Sequence, residues 1–393
     1  TNRKLINSMN PKLLRITTVP VSLKTLLKGQ HRFMSDNGFE VIGVSSAGEA
    51  LDEVARDENI RTISVEMSRK ITPLKDLKAL WKFYRLCKKE KPTIVHSHTP
   101  KAGIVGMLGA KLAGVPIRLH TVAGLPLMEA SGTKRKLLDF VEKLTYSSAT
   151  KVYPNSKGLY DFILQQKYTK KGKLKVIAQG SSNGINTEFF DPQQVSETKQ
   201  LELKQALGIS STDFVFVFVG RLVGDKGINE LIEAFKQLNS PNAKLLLVGP
   251  FESDLDPLQS ETLQTIETHP NIIAVGYQKD VRPYFAISHA LAFPSYREGF
   301  PNVVMQAGAM GLPSIVTNIN GCNEIIQDDE NGIIIPSKDV EALLIAMNRL
   351  MTDKLYYEHL KANARQMIQT RYEQSIVWNA LLEEYNGLLG IRN

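Results

Sequence analysis

Short apolar runs alternate with amphipathic stretches along almost the whole chain, and this alternation limits the fold more than any other feature. Short apolar runs predict buried strands, and apolar side chains three to four positions apart predict helices. Strands that alternate with helices form parallel sheets covered on both faces. The predicted strands are Leu13–Val19, Glu40–Ser45, Thr62–Val65, Thr93–His96, Ile117–Thr121, Thr150–Pro154, Lys175–Ile177, Phe214–Val219, Lys244–Val248, Ile272–Val275, Ala290–Phe293 and Ser314–Val316.

Helical spacing fills the gaps between these strands, and the polar stretch Asn183–Lys204 divides the chain as a linker. The predicted fold class is therefore α/β, with two Rossmann-like, doubly wound parallel-sheet domains at residues 1–190 and 191–370. Such domains bind ligands at the carboxyl ends of their strands, which predicts a cleft site. The predicted helices are Lys24–Asn37, Asp76–Glu90, Gly103–Ala113, Thr133–Ser148, Ser156–Gln166, Gly227–Leu238, Val340–Met351, Lys354–Gln369 and Gln374–Leu389.

The charge is distributed unevenly between the two halves. Residues 1–185 contain 32 Lys and Arg against 14 Asp and Glu, whereas residues 186–393 contain 16 against 26. This asymmetry indicates that the first half faces nucleic acid, a phospholipid surface or a phosphate-bearing substrate, or that its surface is simply basic and solvated. The two cysteines, Cys87 and Cys322, lack any metal-ligand spacing. No run of about 18 apolar residues predicts a transmembrane helix.

A glycine-rich stretch, Val219–Gly227, follows a buried strand and opens a helix. Gly220 lets the backbone approach a ligand closely, and the start of a helix favours anions. Arg221 offers a planar guanidinium fork and Lys226 a point charge, both suited to a diphosphate.

The stretch Arg297–Pro313 places the acid Glu298 before Gly299-Phe300 and a short helix near Pro301. The backbone amides of Asn302, Val303 and Val304 could face a sugar or a phosphate, since the first amides of a helix have no partner within it. A second polar side chain, Gln306, follows eight residues after Glu298.

Together these two stretches resemble the donor site of the GT4 family of retaining glycosyltransferases, which have the GT-B fold. The resemblance implies that Gly220, Arg221 and Lys226 bind the donor diphosphate and that Glu298, with Gly299, Phe300, Asn302 and Val303, holds the sugar. Gln306 stands where the family has a second acid that binds the ribose, and an amide can still accept this bond. The stretch Gly276-Tyr277 to Asp280-Val281 would lie near the base, through Tyr277 and Val281. The last helix, residues 371–393, would cross back to the first domain.

The first half carries two histidine stretches at predicted strand ends. His120, in Leu119–Gly124, matches a family position that contacts the donor sugar, and it completes the predicted catalytic set with Arg221, Lys226 and Glu298. In His96–Gly103, the two histidines should lie on opposite sides of a strand, which argues against a joint metal site. His98 and Lys101 are predicted to bind the acceptor phosphate, or to form a polar cluster of structural importance only. Ser22 and Lys28 resemble the acceptor-side loop of bacterial cell-surface polysaccharide transferases.

No metal or other cofactor is expected. The triplet Asp254-Leu255-Asp256 has the pattern of a metal-binding site in another glycosyltransferase fold, but two aspartates two residues apart arise easily by chance. The sequence has no nucleophile elbow, Walker A motif or dinucleotide fingerprint after its first strand.

The resemblance implies an enzyme that moves a sugar from a nucleotide diphosphate, UDP above all, to a saccharide or polyprenyl-diphosphate-linked acceptor in bacterial capsule or O-antigen synthesis. The basic first half, with the amphipathic stretch Thr133–Leu144, predicts peripheral attachment to the anionic inner face of the bacterial plasma membrane. A nucleotide-sugar epimerase of the same architecture is one alternative. A non-catalytic protein that binds nucleic acid is the other, although the basic runs lack interleaved aromatic residues, so no nucleic acid is expected.

Overall fold

The computed structural model describes residues 10–70, 72–125, 130–252 and 256–391. The chain divides into two compact units. The first unit comprises Thr1–Asn183 and Ser375–Asn393, and the second comprises Gly184–Gln374. In the described part of the chain, no helix has the length and apolarity needed to cross a bilayer.

The first unit is built on a six-stranded parallel sheet. All of its strand pairs are parallel, as the alternation of strands and helices predicts. Its strands are β1 (Lys12–Ile16), β2 (Glu40–Ser45), β3 (Arg61–Ser64), β4 (Ile94–Ser97), β5 (Ile117–Val122) and β6 (Lys151–Pro154).

Helices cover both faces of this sheet, and each face has its own apolar core. One core contains side chains of α4, α5, α6 and α7, whereas the other contains side chains of α1, α2, α3 and the C-terminal helix α16. The helices are α1 (Pro20–Leu26), α2 (Gln30–Asp36), α3 (Glu49–Glu58), α4 (Pro73–Glu90), α5 (Pro100–Ala113), α6 (Gly132–Ser148), α7 (Lys157–Gln165) and α16 (Gln374–Leu389).

The second unit contains another six-stranded parallel sheet and a single large core. Its strands are β7 (Phe214–Val219), β8 (Ala243–Val248), β9 (Ile272–Gly276), β10 (Ala290–Phe293), β11 (Ser314–Thr317) and β12 (Gly332–Ile335). Its helices are α8 (Glu197–Ala206), α9 (Ile228–Leu238), α10 (Ser260–Thr268), α11 (Arg282–Ala286), α12 (Asn302–Ala309), α13 (Cys322–Ile325), α14 (Val340–Thr352) and α15 (Lys354–Tyr372).

The two sheets have the same topology. If each sheet is numbered from its own first strand, both have the order 3-2-1-4-5-6. The chain changes direction between β1 and β4 in the first unit and between β7 and β10 in the second, and such switch points are where α/β sheets bind ligands. The predicted α/β class with two doubly wound parallel sheets is therefore confirmed.

Three local predictions were wrong. The predicted helix Lys24–Asn37 is two helices, because Gly29 has a φ of +80° and its backbone lies against the Trp378 ring. Lys175–Ile177 forms no strand, and the stretch Asn183–Lys204 is not merely a linker, since it belongs largely to the second unit and contains the start of α8.

Candidate active site

In the second unit, the loops after β7 and β10 contact each other so closely that the contact requires glycine. A Cβ atom on Gly227, whose φ is +70°, would lie 2.1 Å from the Pro294 carbonyl oxygen. A Cβ atom on Gly249 would lie 1.8 Å from the Gly220 carbonyl oxygen. The glycines at the strand ends thus allow the backbones to pack against each other, and they hold Arg221 and Lys226 beside the loop that carries Glu298.

Lys226 and Glu298 are 72 residues apart in the sequence and form an ion pair at 2.5 Å, beyond the carboxyl ends of β7 and β10. Their side chains are 15% and 16% exposed, so the pair is shielded but reachable by a ligand. Ser295, which follows β10, donates a hydrogen bond to the same Glu298 oxygen at 2.8 Å. The site therefore offers an ammonium group to an anion and a carboxylate to hydroxyl groups within one cluster.

Arg221 lies in the same turn and pairs with Glu252 at 3.0 Å. The side chains are 41% and 34% exposed. Sequence reasoning did not identify Glu252, because nothing in the linear sequence links it to Arg221. Glu252 holds the guanidinium fork that a diphosphate would need.

The turn that carries Lys226 is held by Asp256. The Asp256 carboxylate accepts a hydrogen bond from the Asp225 amide at 2.5 Å, and its backbone carbonyl accepts one from Gly224 at 3.1 Å. Asp256 therefore stabilises the turn that carries Lys226. The other two residues of the Asp254-Leu255-Asp256 triplet lie outside the described residues. Over the described ranges, no group of three or more His, Cys, Asp or Glu residues is placed to hold a metal ion.

The Gly299-Phe300 turn is held by hydrogen bonds from Asn320 and by packing against Tyr372. The Asn320 side chain donates to the backbone carbonyls of Glu298, at 3.2 Å, and Gly299, at 2.6 Å. Phe300 is 9% exposed and packs edge-on against Tyr372 with 5.4 Å between ring centroids. In this structure the phenyl ring is therefore part of the core, and it anchors the turn.

The helix α12 begins at Asn302, so Asn302 and Val303 supply amides that have no intrahelical partner. The Val304 amide donates to the Pro301 carbonyl at 3.2 Å, so the expectation that it faces a ligand was wrong. Gln306 is half-buried, one turn along from Val303.

The residues predicted to lie near the base follow β9. Tyr277 is 74% exposed directly after this strand, and the half-buried Val281 caps α11. Both therefore follow the carboxyl end of a strand of this sheet, just as Lys226 follows β7 and Glu298 follows β10.

In the first unit, His120 lies in β5 and is 3% exposed. Its Nδ1 shares a hydrogen bond with the Ser97 hydroxyl at 2.8 Å, and the start of α5 packs on the ring at Gly103. Burial lowers the pKa of His120 to about 4, so the imidazole is neutral at physiological pH.

The expectation that His96 and His98 lie on opposite sides of a strand was wrong. Side chains two positions apart in a strand point to the same face, and His98, directly after the end of β4, keeps this arrangement, so the two rings stack with 4.1 Å between their centroids. Burial lowers the pKa of both imidazoles well below the usual value, and each ring's proximity to Arg15 adds to the effect.

The remaining predicted acceptor residues are spread over the first unit. Lys101 is 11% exposed and forms an ion pair with Asp76 of α4, which already offsets its charge. Ser22 is half-buried in α1. Lys28 is exposed between α1 and α2, and its backbone carbonyl accepts a hydrogen bond from Asn183 at 3.0 Å.

Comparison with known sequences agrees with this geometry. Residues 32–180 match the family described as "Glycosyl transferase 4-like domain", and residues 199–367 match "Glycosyl transferases group 1". The chain is 34% identical to the capsular polysaccharide biosynthesis glycosyltransferase CapM of Staphylococcus aureus, over 97% of this chain and 98% of that protein. It is 31% identical, over 76% of this chain and 77% of the relative, to an Escherichia coli enzyme named UDP-Gal:alpha-D-GlcNAc-diphosphoundecaprenol alpha-1,3-galactosyltransferase.

Solved structures share the fold at low sequence identity. A glycosyltransferase from Rickettsia africae superposes with a TM-score of 0.79 at 20% identity, covering 97% of this chain and 99% of that one. The Anabaena protein HepE, solved with UDP and glucose, also gives 0.79, at 18% identity, covering 96% of this chain and 100% of that one. Because both halves of the chain match glycosyltransferase families and CapM is 34% identical over nearly its whole length, the chain belongs to the GT4-type glycosyltransferases of the GT-B fold and is a glycosyltransferase enzyme.

Proposed function

We propose that the protein is a retaining glycosyltransferase that moves a sugar from a UDP-sugar to a saccharide linked to a lipid diphosphate, in the synthesis of a bacterial surface polysaccharide. The observation that carries this proposal is the contact between Lys226 and Glu298 at the ends of β7 and β10. It places an anion-binding ammonium group and a hydroxyl-binding carboxylate within reach of one ligand, as a nucleotide sugar requires.

In the proposed reaction, Arg221 and Lys226 offset the negative charge that grows on the departing diphosphate. Glu298, steadied by Ser295, accepts hydrogen bonds from the sugar hydroxyls. For His120, whose imidazole is neutral, the contact with the donor sugar stays a proposal that rests on the family resemblance. The acceptor oxygen attacks the face from which the diphosphate leaves, and the leaving phosphate takes the acceptor proton, so no covalent enzyme intermediate forms. The proposal includes no metal ion.

The substrates are proposed from the named relatives. The Escherichia coli relative is named for UDP-galactose and a diphosphoundecaprenol acceptor. A Campylobacter jejuni relative, 28% identical over 85% of this chain, is named for a diphospho-undecaprenol-linked acceptor. Both names support a lipid-diphosphate acceptor for this chain.

A surface of the first unit supports attachment to an anionic membrane. On α4, Leu74, Leu77 and Trp81 recur on one helix face and are 86%, 63% and 59% exposed. Leu112 of α5 and Leu137 and Phe140 of α6 are also exposed, and α5 packs against both neighbouring helices. Exposed Lys75, Lys78, Lys82 and Arg85 flank the α4 stripe. Apolar side chains flanked by cations fit the interface of an anionic bilayer.

The catalytic proposal is tested with purified enzyme, a panel of UDP-sugars, a polyprenyl-diphosphate-linked disaccharide and EDTA. We expect transfer to the lipid-linked acceptor, with the anomeric configuration of the donor preserved in the product by NMR. An inverted linkage would overturn the retaining mechanism. An isomerised nucleotide sugar formed without acceptor would identify an epimerase instead.

The membrane proposal is tested by co-sedimentation with vesicles of phosphatidylglycerol and phosphatidylcholine. Leu74→Ser with Trp81→Ala should reduce binding, because both side chains would leave the apolar part of the interface. Leu355→Ser is the matched control, since Leu355 is also 86% exposed but lies on α15 of the second unit. Equal binding of all three proteins would contradict attachment through α4.

A further inference from the structure

A buried cation lies in the middle of the first unit. Arg15 of β1 is 0% exposed, and its Nε and Nη1 atoms have no hydrogen-bond partner. Its Nη2 donates to the Tyr385 hydroxyl of α16 at 3.0 Å. No carboxylate pairs with Arg15 in the described part of the chain. A buried charge without a counterion is costly, so this interior favours an anion nearby.

A directed chain of hydrogen bonds leads from Arg15 to Thr121. A guanidinium only donates, so the Tyr385 oxygen accepts. We assign its O–H as the donor to His96 Nδ1, at 2.6 Å, because His96 is the other hydrogen-bond partner of this hydroxyl among the described residues. Because His96 is neutral, its proton is then on Nε2, which donates to the Thr121 hydroxyl oxygen at 2.8 Å. The Thr121 hydroxyl hydrogen is left to donate beyond the chain, and its polarity is strengthened by the cation behind it.

This chain ends at a small pocket in which three further side chains have buried polar atoms without a partner. Thr121, His98, Asn155 and Ser182 line it, with Leu381 of α16 on the apolar side. His98 is 4% exposed, and neither of its ring nitrogens has a hydrogen-bond partner. The Asn155 Oδ1 and Ser182 Oγ atoms are also buried without a partner. Buried polar atoms are almost always paired in folded proteins, so this concentration points to a missing ligand.

The size of the pocket limits what can enter. Its interior has about 20 Å³ of room, enough for one or two oxygen atoms but not for a sugar ring. We propose that this pocket receives one or two oxygen atoms of an oxyanion, which is either a free inorganic anion or the phosphate or carboxylate end group of a larger molecule, through Thr121, Ser182 and His98. All of its lining residues belong to the first unit, and none belongs to the Lys226–Glu298 cluster.

The test measures the NMR signals of the His98 ring nitrogens. Enzyme labelled with ¹⁵N-histidine is titrated with inorganic phosphate and, separately, with farnesyl phosphate in detergent, and the His98 ring signals are assigned with His98→Gln. We expect a saturable change in the His98 ring nitrogens, whereas exposed His359 should not respond. Ser182→Ala should weaken the anion about tenfold or more, since it removes a bond to a charged group. Ser147→Ala, at an exposed serine of α6, is the matched control.

The two titrations distinguish the source of the anion. Saturation by inorganic phosphate at low concentration would indicate a free anion, whereas a response to farnesyl phosphate alone would indicate the end group of a lipid-linked molecule. Thr121→Val tests the hydrogen-bond chain, since it should weaken the response and also shift the His96 signals. If neither probe moves the His98 signals of the wild-type enzyme, the pocket holds only water and the proposal is wrong.

Discussion

The two units share one strand order but place different chemistry at the same topological positions. In the second unit, the loops after the first and fourth strands of the sheet carry the ion pair of Lys226 and Glu298. In the first unit, the equivalent loops carry Thr18 and Thr99, whose hydroxyls share a hydrogen bond at 2.8 Å. Topology therefore determines where a ligand can bind, whereas the side chains determine which ligand it is.

The sheets also differ in polarity. At the switch point of the first unit, Arg15 of β1 pairs in register with His96 of β4. In the second unit, β10 pairs with β7 through Leu291 and Val217 and through Ala290 and Phe216, all apolar. The first unit also buries His31, His98 and His120, and burial lowers the pKa of each, whereas in the second unit burial lowers the pKa of His289 to about 4. Protons should therefore act mainly on the first unit.

The largest effect is expected for Lys226→Gln. Loss of the ammonium group that faces the leaving diphosphate should lower kcat by about 10²–10³-fold, the usual cost of removing one transition-state donor. The control is Lys236→Gln, since Lys236 pairs with exposed Glu233 and Glu261 on the surface. Steady-state transferase assays, with melting curves for folding, measure the difference. A variant of Lys226 with normal kcat would show that the ion pair is only structural.

Acid should destabilise the first unit more than the second. Burial lowers the pKa of His31 to about 3 and that of His120 to about 4. The unfolded chain binds these protons below about 6.5, so stability is complete above that pH and is lost as pH falls toward the folded values. At pH 5 the loss is about 2 kcal/mol for each of these imidazoles.

Hydrogen exchange at pH 7.5 and pH 5, corrected for intrinsic rates, measures this loss strand by strand. We expect β1, β4 and β5 to lose more protection than β7, β8 and β10. Equal losses in both sheets would mean that the buried histidines of the first unit do not govern its acid stability.

Gly227→Ala should destabilise the second unit through the backbone alone. Gly208→Ala is the matched control, because Gly208 has a φ of +64° but open space around it, whereas a Cβ on Gly227 meets the Pro294 carbonyl. We expect Gly227→Ala to cost about 2 kcal/mol more than the control, because only Gly227 adds overpacking to the left-handed strain. Urea unfolding measures both variants, and equal midpoints would show that the two loops can separate at little cost.

The smallest effect is expected for Glu252→Gln. The carboxylate competes with a diphosphate for Arg221, but both side chains are more than a third exposed, so the pair contributes at most about 1 kcal/mol. UDP should therefore bind up to about fivefold more tightly to the variant, and the difference should shrink as salt increases. Calorimetry at two salt concentrations measures it. Weaker binding would mean that Glu252 itself contacts the nucleotide.

The fold could be predicted from the sequence because its strands and helices have strong local patterns. Examples are the continuous apolar run of β7 and the helical spacing of apolar side chains in α9. The sequence also located Arg221 and Lys226 in the turn after β7, because both lie beside the glycines of that turn, while their donor-binding roles stay predictions. It did not reveal Glu252, Ser295 or the pairing of Lys101 with Asp76, since these contacts join residues far apart in the chain or depend on loop geometry. The burial of Arg15 could not be predicted from the sequence either, because its hydrogen-bond partner Tyr385 is 370 residues away.

Binding of the nucleotide sugar is the most direct test of the donor site. Thermal-shift assays against UDP-, GDP-, ADP- and TDP-sugars, with EDTA present, compare the wild-type enzyme with Arg221→Ala, and with Arg349→Ala as an exposed arginine paired with Asp329. A ligand raises the melting temperature only by binding the folded state. We predict a shift with UDP-sugars that Arg349→Ala keeps and Arg221→Ala loses. No shift with any nucleotide sugar, or an equal shift in Arg221→Ala, would contradict the assignment of the donor site.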